Sequence, residues 1–186
     1  MDSAFRIECG TERDIPVIVR LIRNLAEYEK LSDEVTVTED GLRESLFGKH
    51  PAAEVLIAYA DAEPVGFAVF FHNYSTFLGR QGMYLEDLFV LPEWRRQGCG
   101  RQLLIKVARI ATERGCGRME WSVLDWNEPA LRFYKSLGAQ AMDQWTVYRL
   151  TGEALRQLGS SSSTGCAPSP ASAGEGRREA PGEVKQ

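Results

Sequence analysis

The sequence predicts an α/β fold: a mixed sheet with helices on its faces. Two observations carry that prediction. Strand-length apolar runs alternate with helical stripes from Phe5 to Leu158, and this order implies a layered sheet-and-helix domain. The composition, 44% hydrophobic and 26% charged, is that of an ordinary globular chain, which rules out a wholly disordered, collagen-like or disulfide-framework protein.

Each element has its own signal. Phe5–Cys9 reads as a first strand. Thr11 and Asp14 form a capping pair before a helix whose apolar stripe is Ile15, Ile18, Val19, Ile22, Leu25 and Ala26. A short helix follows Thr38, with Leu42 and Leu46 on one face. Glu54–Ala60 and Val65–Phe71 are joined by Asp61-Ala62-Glu63-Pro64 and read as a hairpin. Met83–Leu91 is a third run, stopped by Pro92. Gly98–Arg114 is a helix with Leu103, Leu104, Val107, Ala108 and Ala111 inward. Arg118–Leu124 is a strand, Asn127–Leu137 a helix, Trp145–Leu150 a strand and Gly152–Leu158 a last helix.

The composition changes at Gly159. Ser160–Ser163, Pro168, Pro170 and Pro181 follow, no aromatic occurs, and Val184 is the one large aliphatic residue. Such a stretch cannot offset roughly 1–2 kcal/mol of backbone entropy per ordered residue. The chain therefore reads as one domain over 1–158 and a disordered tail over 159–186.

Charge and cysteine usage narrow the class. A net charge of −4 and a pI near 5.4 argue against a general nucleic-acid binder and favour a cationic substrate. No secretory leader or membrane-length apolar run is visible. Cys9, Cys99, Cys116 and Cys166 form no CxxC pair, and His50 and His72 are far apart. The expectation is no metal site, with reduced thiols in the cytoplasm.

The stretch Leu88-Phe89-Val90-Leu91-Pro92-Glu93-Trp94-Arg95-Arg96-Gln97-Gly98-Cys99-Gly100-Arg101 runs from a strand end through a basic Gly-x-Gly turn into a helix. Free amides at a helix start bind phosphate oxygens, and glycine permits close approach. The motif is neither Walker A nor a full Rossmann fingerprint. Taken alone, it reads equally well as a tight strand-to-helix turn.

At Arg95-Arg96-Gln97-Gly98-Cys99-Gly100 the sequence resembles the GNAT superfamily of acetyltransferases. Leu25-Ala26-Glu27-Tyr28-Glu29-Lys30-Leu31-Ser32-Asp33, Tyr84-Leu85-Glu86-Asp87, Leu124-Asp125-Trp126-Asn127 and Phe133-Tyr134-Lys135-x-Leu137-Gly138-Ala139 are similar to its diamine acetyltransferase branch, which includes spermidine/spermine and thialysine-acetylating enzymes. The resemblance implies a mostly antiparallel GNAT sheet, acetyl-CoA as co-substrate, a small amine as acceptor and a homodimer, with no nucleic acid or membrane partner. It further implies that Leu88, Phe89 and Val90 pair with the pantetheine arm. Arg95, Arg96, Gln97, Gly98, Cys99, Gly100 and Arg101 would hold the pyrophosphate, and Asn127, Glu128, Pro129 and Ala130 would add contacts.

Acetylation requires a neutral amine and a protonated leaving group. Glu86, on an apolar strand, could hold the ammonium and accept its proton, and the resemblance implies that it contacts the cationic substrate. By strict alternation Glu86 shares a face with Tyr84 and Leu88, and Asp87 with Leu85 and Phe89. Asp87 could simply bond nearby backbone on a wet face. Tyr134 is most simply a core aromatic; the resemblance assigns it the proton donated to the departing sulfur. Tyr28 and Glu29 could be a solvated helix end, and the resemblance puts them in the amine site across the dimer interface. Glu120, Trp121 and Ser122 are carried over as further substrate-side positions. Ser75 stands roughly where polyamine-acetylating members carry an acid and thialysine-type members a serine. Cys99 reads as inert, with no histidine near it. The expected activity is N-acetylation of a thialysine-like amino acid ahead of diamines and polyamines, with protein lysine as a variant. The contrasting possibility is a non-catalytic acyl-CoA-binding module.

Overall fold

The computed structural model describes residues 5–161, and the chain divides into two units, Met1–Gly138 and Ala139–Gln186. The first carries a five-stranded sheet in the order β1 (Arg6–Cys9), β2 (Glu54–Ala60), β3 (Glu63–Ser75), β4 (Arg80–Val90) and β5 (Met119–Trp121). Neighbours are antiparallel except β4 and β5, which run parallel, so the sheet is mixed and mostly antiparallel as expected.

The first helix, α1 (Ile15–Glu29), starts after a single 3-10 turn, Glu12–Asp14. The Thr11 amide and hydroxyl both donate to the Asp14 carboxylate, at 2.8 and 2.7 Å, which fixes that start. The helix ends at Lys30, in the left-handed region at φ 62°, and the Leu31 amide closes on the Ala26 carbonyl at 2.8 Å. Leu21, outside the expected stripe, is fully buried, while Ile22 and Leu25 are half-buried. In α2 (Glu39–Phe47), the Thr38 hydroxyl accepts from the Gly41 amide, and Leu42 and Leu46 are buried.

Strand alternation divides the core into two layers. Leu56, Ala58, Ala68 and Met83 pack with Leu103, Leu104, Val107 and Ala111 of α3 (Cys99–Glu113). Val55, Ile57, Phe67 and Phe89 pack on the other face with Ile15, Ile18 and Leu21 of α1 and with Leu42 and Leu46.

Two features of β4 prepare the site. The register against β3 slips between Val69 and Phe70, which face Asp87 and Leu85, so Glu86 is an extra, bulged residue. The bulge overturns strict alternation: Leu85 sits in the α3 layer and Phe89 in the α1 layer. Second, β5 is only three residues long, shorter than the Arg118–Leu124 run, and pairs with Met83, Tyr84 and Leu85 alone. The edge of β4 beyond Leu85 has no β5 partner.

In the first unit, α4 (Glu128–Ser136) has no fully buried residue; Phe133 and Tyr134 are its core-facing side chains. In the second unit, Trp145–Leu150 is not a strand. Its residues are all exposed and find no ladder partner among the described residues, and composition without a pairing edge does not make a strand. The helix α5 (Gly152–Ser160) runs past the composition break at Gly159. The proposed tail beyond Ser161 lies outside the described residues. None of the described helices is long and apolar enough to cross a membrane.

Candidate active site

The Leu91 amide donates to the Val65 carbonyl at 2.9 Å, and antiparallel pairs alternate between bonded and non-bonded. With Gly66 opposite Val90 and Ala68 opposite Leu88, the backbone groups of Leu88 and Val90 therefore point away from β3, toward the edge that β5 has left. Phe89, between them, turns its side chain into the core.

The chain then turns through Pro92–Trp94 into α3. The amides of Trp94, Arg95 and Gln102 bond to Leu91, Pro92 and Gly98 carbonyls. Among the described residues, none of the six intervening amides, Arg96 to Arg101, has a protein acceptor. Consecutive unpaired donors at a helix N-terminus form an anion cradle. Gly98 sits at φ 89°, so its backbone itself calls for glycine. Gly100 differs: a Cβ there would meet nothing nearer than Val90 Cγ2 at 3.6 Å, an ordinary contact, so packing alone does not require glycine. The space above these amides is what the two glycines keep clear.

The side chains of the loop divide their work. Arg95 is already engaged: its Nε donates to the Val90 carbonyl at 2.8 Å, and its guanidinium lies 4.2 Å from the Tyr28 ring centroid. Gln97 bonds the Glu93 carbonyl. Arg96 and Arg101 are exposed and make no salt bridge among the described residues. Cys99 is buried, and burial pushes its thiol up to about 12, which agrees with an inert cysteine.

The acids gather at the bulge. Asp87 is half-buried, and its carboxyl is pushed up to about 6, first by burial and then by the charges of Glu86 and Glu29. Glu29 is itself raised by burial, and Glu86 is exposed. On the β5 side, the Tyr134 ring packs against Trp121 at 4.9 Å, and burial pushes the phenol up to about 12. It therefore stays protonated at neutral pH.

Asn127 caps α4 by accepting from the Ala130 amide at 3.3 Å and also accepts from the Tyr28 hydroxyl at 3.1 Å. Glu128, exposed, pairs with Arg132; Pro129 occupies the first turn. Glu120 is held by Arg118 at 2.8 Å and by Asn73 at 2.9 Å, and Ser122 bonds the Tyr84 hydroxyl at 2.9 Å. Ser75 is 2% exposed and its hydroxyl accepts from the Leu78 amide, so it closes the β3–β4 turn. Trp126, outside the expected site, is 50% exposed, 5.9 Å from the Tyr28 ring and within 6.0 Å of the Lys30 ammonium. Its signal in the sequence is a bare tryptophan directly before the Asn127 cap. No group of three or more His, Cys, Asp or Glu able to hold a metal comes together among the described residues.

Unpaired helix-start amides next to an open strand edge, with a half-buried phenol and adjacent carboxyls in the same unit, are the kinds of group that transfer of an activated group to an amine uses. The chain belongs to the acetyltransferase (GNAT) family, whose model matches residues 20–139. It is 45% identical over 158 residues to the thialysine N-epsilon-acetyltransferase of Bos taurus, covering 79% of this chain and 92% of that protein. To the L-ornithine N5-acetyltransferase of Arabidopsis thaliana it is 33% identical, over 82% and 87% of the two chains. Among solved structures, a V. cholerae integron cassette protein superposes with a TM-score of 0.72 at 28% identity, covering 87% of this chain and 99% of that one.

Proposed function

We propose that the protein is an acetyl-CoA-dependent N-acetyltransferase acting on the side-chain amine of a small cationic amino acid of the thialysine type, ahead of diamines and polyamines. The observation that carries this reading is the outward-pointing Leu88 backbone and Val90 amide, continuous with the unpaired amides from Arg96 to Arg101. The residues fit the group: an extended amide-bearing arm can add to the strand edge, and the pyrophosphate fits a cradle kept open at Gly98 and Gly100. Arg96 and Arg101 supply positive charge at its rim. Bound there, acetyl-CoA supplies the acetyl group as an activated thioester.

The acceptor amine arrives mostly as an ammonium ion. Glu86, exposed on the bulge, contacts it, with Glu29 adding negative charge. Asp87 is the better proton acceptor of the adjacent pair: its carboxyl already titrates near neutrality, where a general base works best. The Tyr134 hydroxyl, a phenol that is protonated at neutral pH, gives its proton to the departing sulfur. With Glu120 held by Arg118 and Ser75 buried in a turn, neither adds a free anion for a long polycation. That favours an amino acid over spermine. Two relatives act, by their names, on the side-chain amines of amino acids, which supports the same choice.

A homodimer is part of this reading. Trp145, Val147 and Tyr148 are 71, 80 and 92% exposed, an apolar run that a second copy would cover. Light scattering of the full chain should give twice the 20.8 kDa monomer mass.

Thiol release from acetyl-CoA, measured with thialysine, ornithine, putrescine, spermidine, spermine and a lysine peptide, tests the activity. The highest kcat/KM should fall on the free amino acids. Release no faster than in buffer with every amine would leave a non-catalytic acyl-CoA-binding module, and the peptide in first place would make the protein a lysine acetyltransferase.

A further inference from the structure

Three contacts converge on Tyr28, the penultimate residue of α1. Its hydroxyl donates to Asn127 Oδ1 at 3.1 Å, across 99 residues of sequence. Its ring carries the Arg95 guanidinium at 4.2 Å and lies 5.9 Å from the Trp126 ring. Arg95 in turn is fixed by the Val90 carbonyl and by the Phe89 ring, 5.4 Å away. One side chain thus joins the end of α1, the start of the anion cradle and the cap of α4.

What it joins is otherwise weakly held. A nine-residue helix is marginal by itself, and α4 buries no residue fully. Its remaining anchors are the packing of Phe133 and Tyr134 on the core and the Asn127 cap. The cap oxygen accepts from both the Ala130 amide and the Tyr28 hydroxyl. Without the second bond, the Asn127 amide can rotate and the first turn of α4 loses its fixed partner.

We propose that Tyr28 is a positioning residue: it locks α4, which carries the proton donor Tyr134, to the Arg95 end of the cofactor cradle. This rests on the acetyltransferase reading and moves Tyr28 from amine ligand to brace, since its hydroxyl and one ring face are already in use. Proton donation tolerates little displacement, because reacting atoms must lie within hydrogen-bond reach. The brace therefore acts on turnover, with acetyl-CoA affinity largely spared.

Amide hydrogen exchange of the free protein tests the brace without catalysis. Losing one hydrogen bond should lower protection of the amides from Ala130 to Ser136 about tenfold in Tyr28→Phe and in Asn127→Ala. The double variant should fall no further than Asn127→Ala, because both changes remove the same link. Asn127→Asp, which keeps the acceptor oxygen, should retain wild-type protection. In turnover assays, Tyr28→Phe should lower kcat about tenfold, with the acetyl-CoA Kd within about threefold of wild type. Wild-type protection in Tyr28→Phe, or losses that multiply in the double variant, would overturn the brace. A raised amine KM at unchanged kcat would return Tyr28 to the amine site and also overturn it. If the wild-type protein turns over no amine, the catalytic reading fails, and exchange still decides the brace.

Discussion

The two ends of β4 are the same strand put to different uses. At Met83, Tyr84 and Leu85 it is paired on both sides, by β3 and by β5. Beyond the Glu86 bulge β5 has left, and the Leu88 backbone and the Val90 amide face an unfilled edge, the Val90 carbonyl being taken by Arg95. The sheet-closing end carries fully buried Met83 and Leu85, whereas the open end carries the acids and leads into unpaired amides. An unpaired strand edge beside a half-buried carboxyl group adds nothing to folding stability. Their occurrence together marks where the chain gives up stability for a site.

The largest expected effect falls at the cradle. Gly100→Val places its Cβ at an ordinary distance from Val90, so the chain should fold with its melting temperature nearly unchanged. The added branch fills the space over the amides, and acetyl-CoA binding by calorimetry should disappear. Gly98→Val is a poorer probe, because its φ of 89° strains any branched residue with or without ligand.

Next comes Tyr134→Phe, which keeps the ring packed on Trp121 and removes one proton. Turnover should fall roughly 10²–10⁴-fold while acetyl-CoA affinity and melting temperature move little. A core tyrosine would show the reverse: lower stability, with turnover intact in the folded fraction.

Asp87→Asn separates stability from chemistry at the bulge. The folded carboxyl titrates near 6, above its usual value of 3.8, so ionising it costs folding free energy. That cost is absent below the usual value and complete above the folded one. Asp87→Asn should therefore raise the melting temperature by a few degrees at pH 8, with the gain vanishing toward pH 4. Its turnover should drop, and wild-type turnover should fall as pH is lowered through about 6. The smallest effect belongs to the exposed cations: Arg96→Ala or Arg101→Ala should each weaken acetyl-CoA binding only about two- to fivefold, as expected of a solvated ion contact.

The open end of β4 was legible in part from the sequence. Gly98, Gly100 and the basic turn stood out because few backbone geometries need that pattern, and Tyr134 and the acids came through the resemblance to a family. The bulge was not legible. Nothing in Tyr84-Leu85-Glu86-Asp87-Leu88-Phe89 announces an extra residue, because a bulge is a property of the pair and its partner lies in β3. Strict alternation therefore put Leu85 and Phe89 on one face. For the same reason Trp145–Leu150 read as a strand from composition alone. Its place in the motif points Arg95 at phosphate, whereas its contacts with Val90 and Tyr28 depend on tertiary placement. Trp126 belongs to the Leu124–Asn127 motif, but its exposure beside Tyr28 is visible only in three dimensions.

The open end of β4 and the adjoining cradle should act as one acetyl-CoA site. Residue-resolved amide exchange, with and without saturating acetyl-CoA, tests it most directly. The amides of Leu88, Val90 and Arg96 to Arg101 should gain strong protection on binding. Those of Met83 to Leu85, already paired on both sides, should change little, and Gly100→Val should abolish the difference. Acetyl-CoA binding that leaves Leu88, Val90 and the cradle amides exchanging as freely as before would contradict the account.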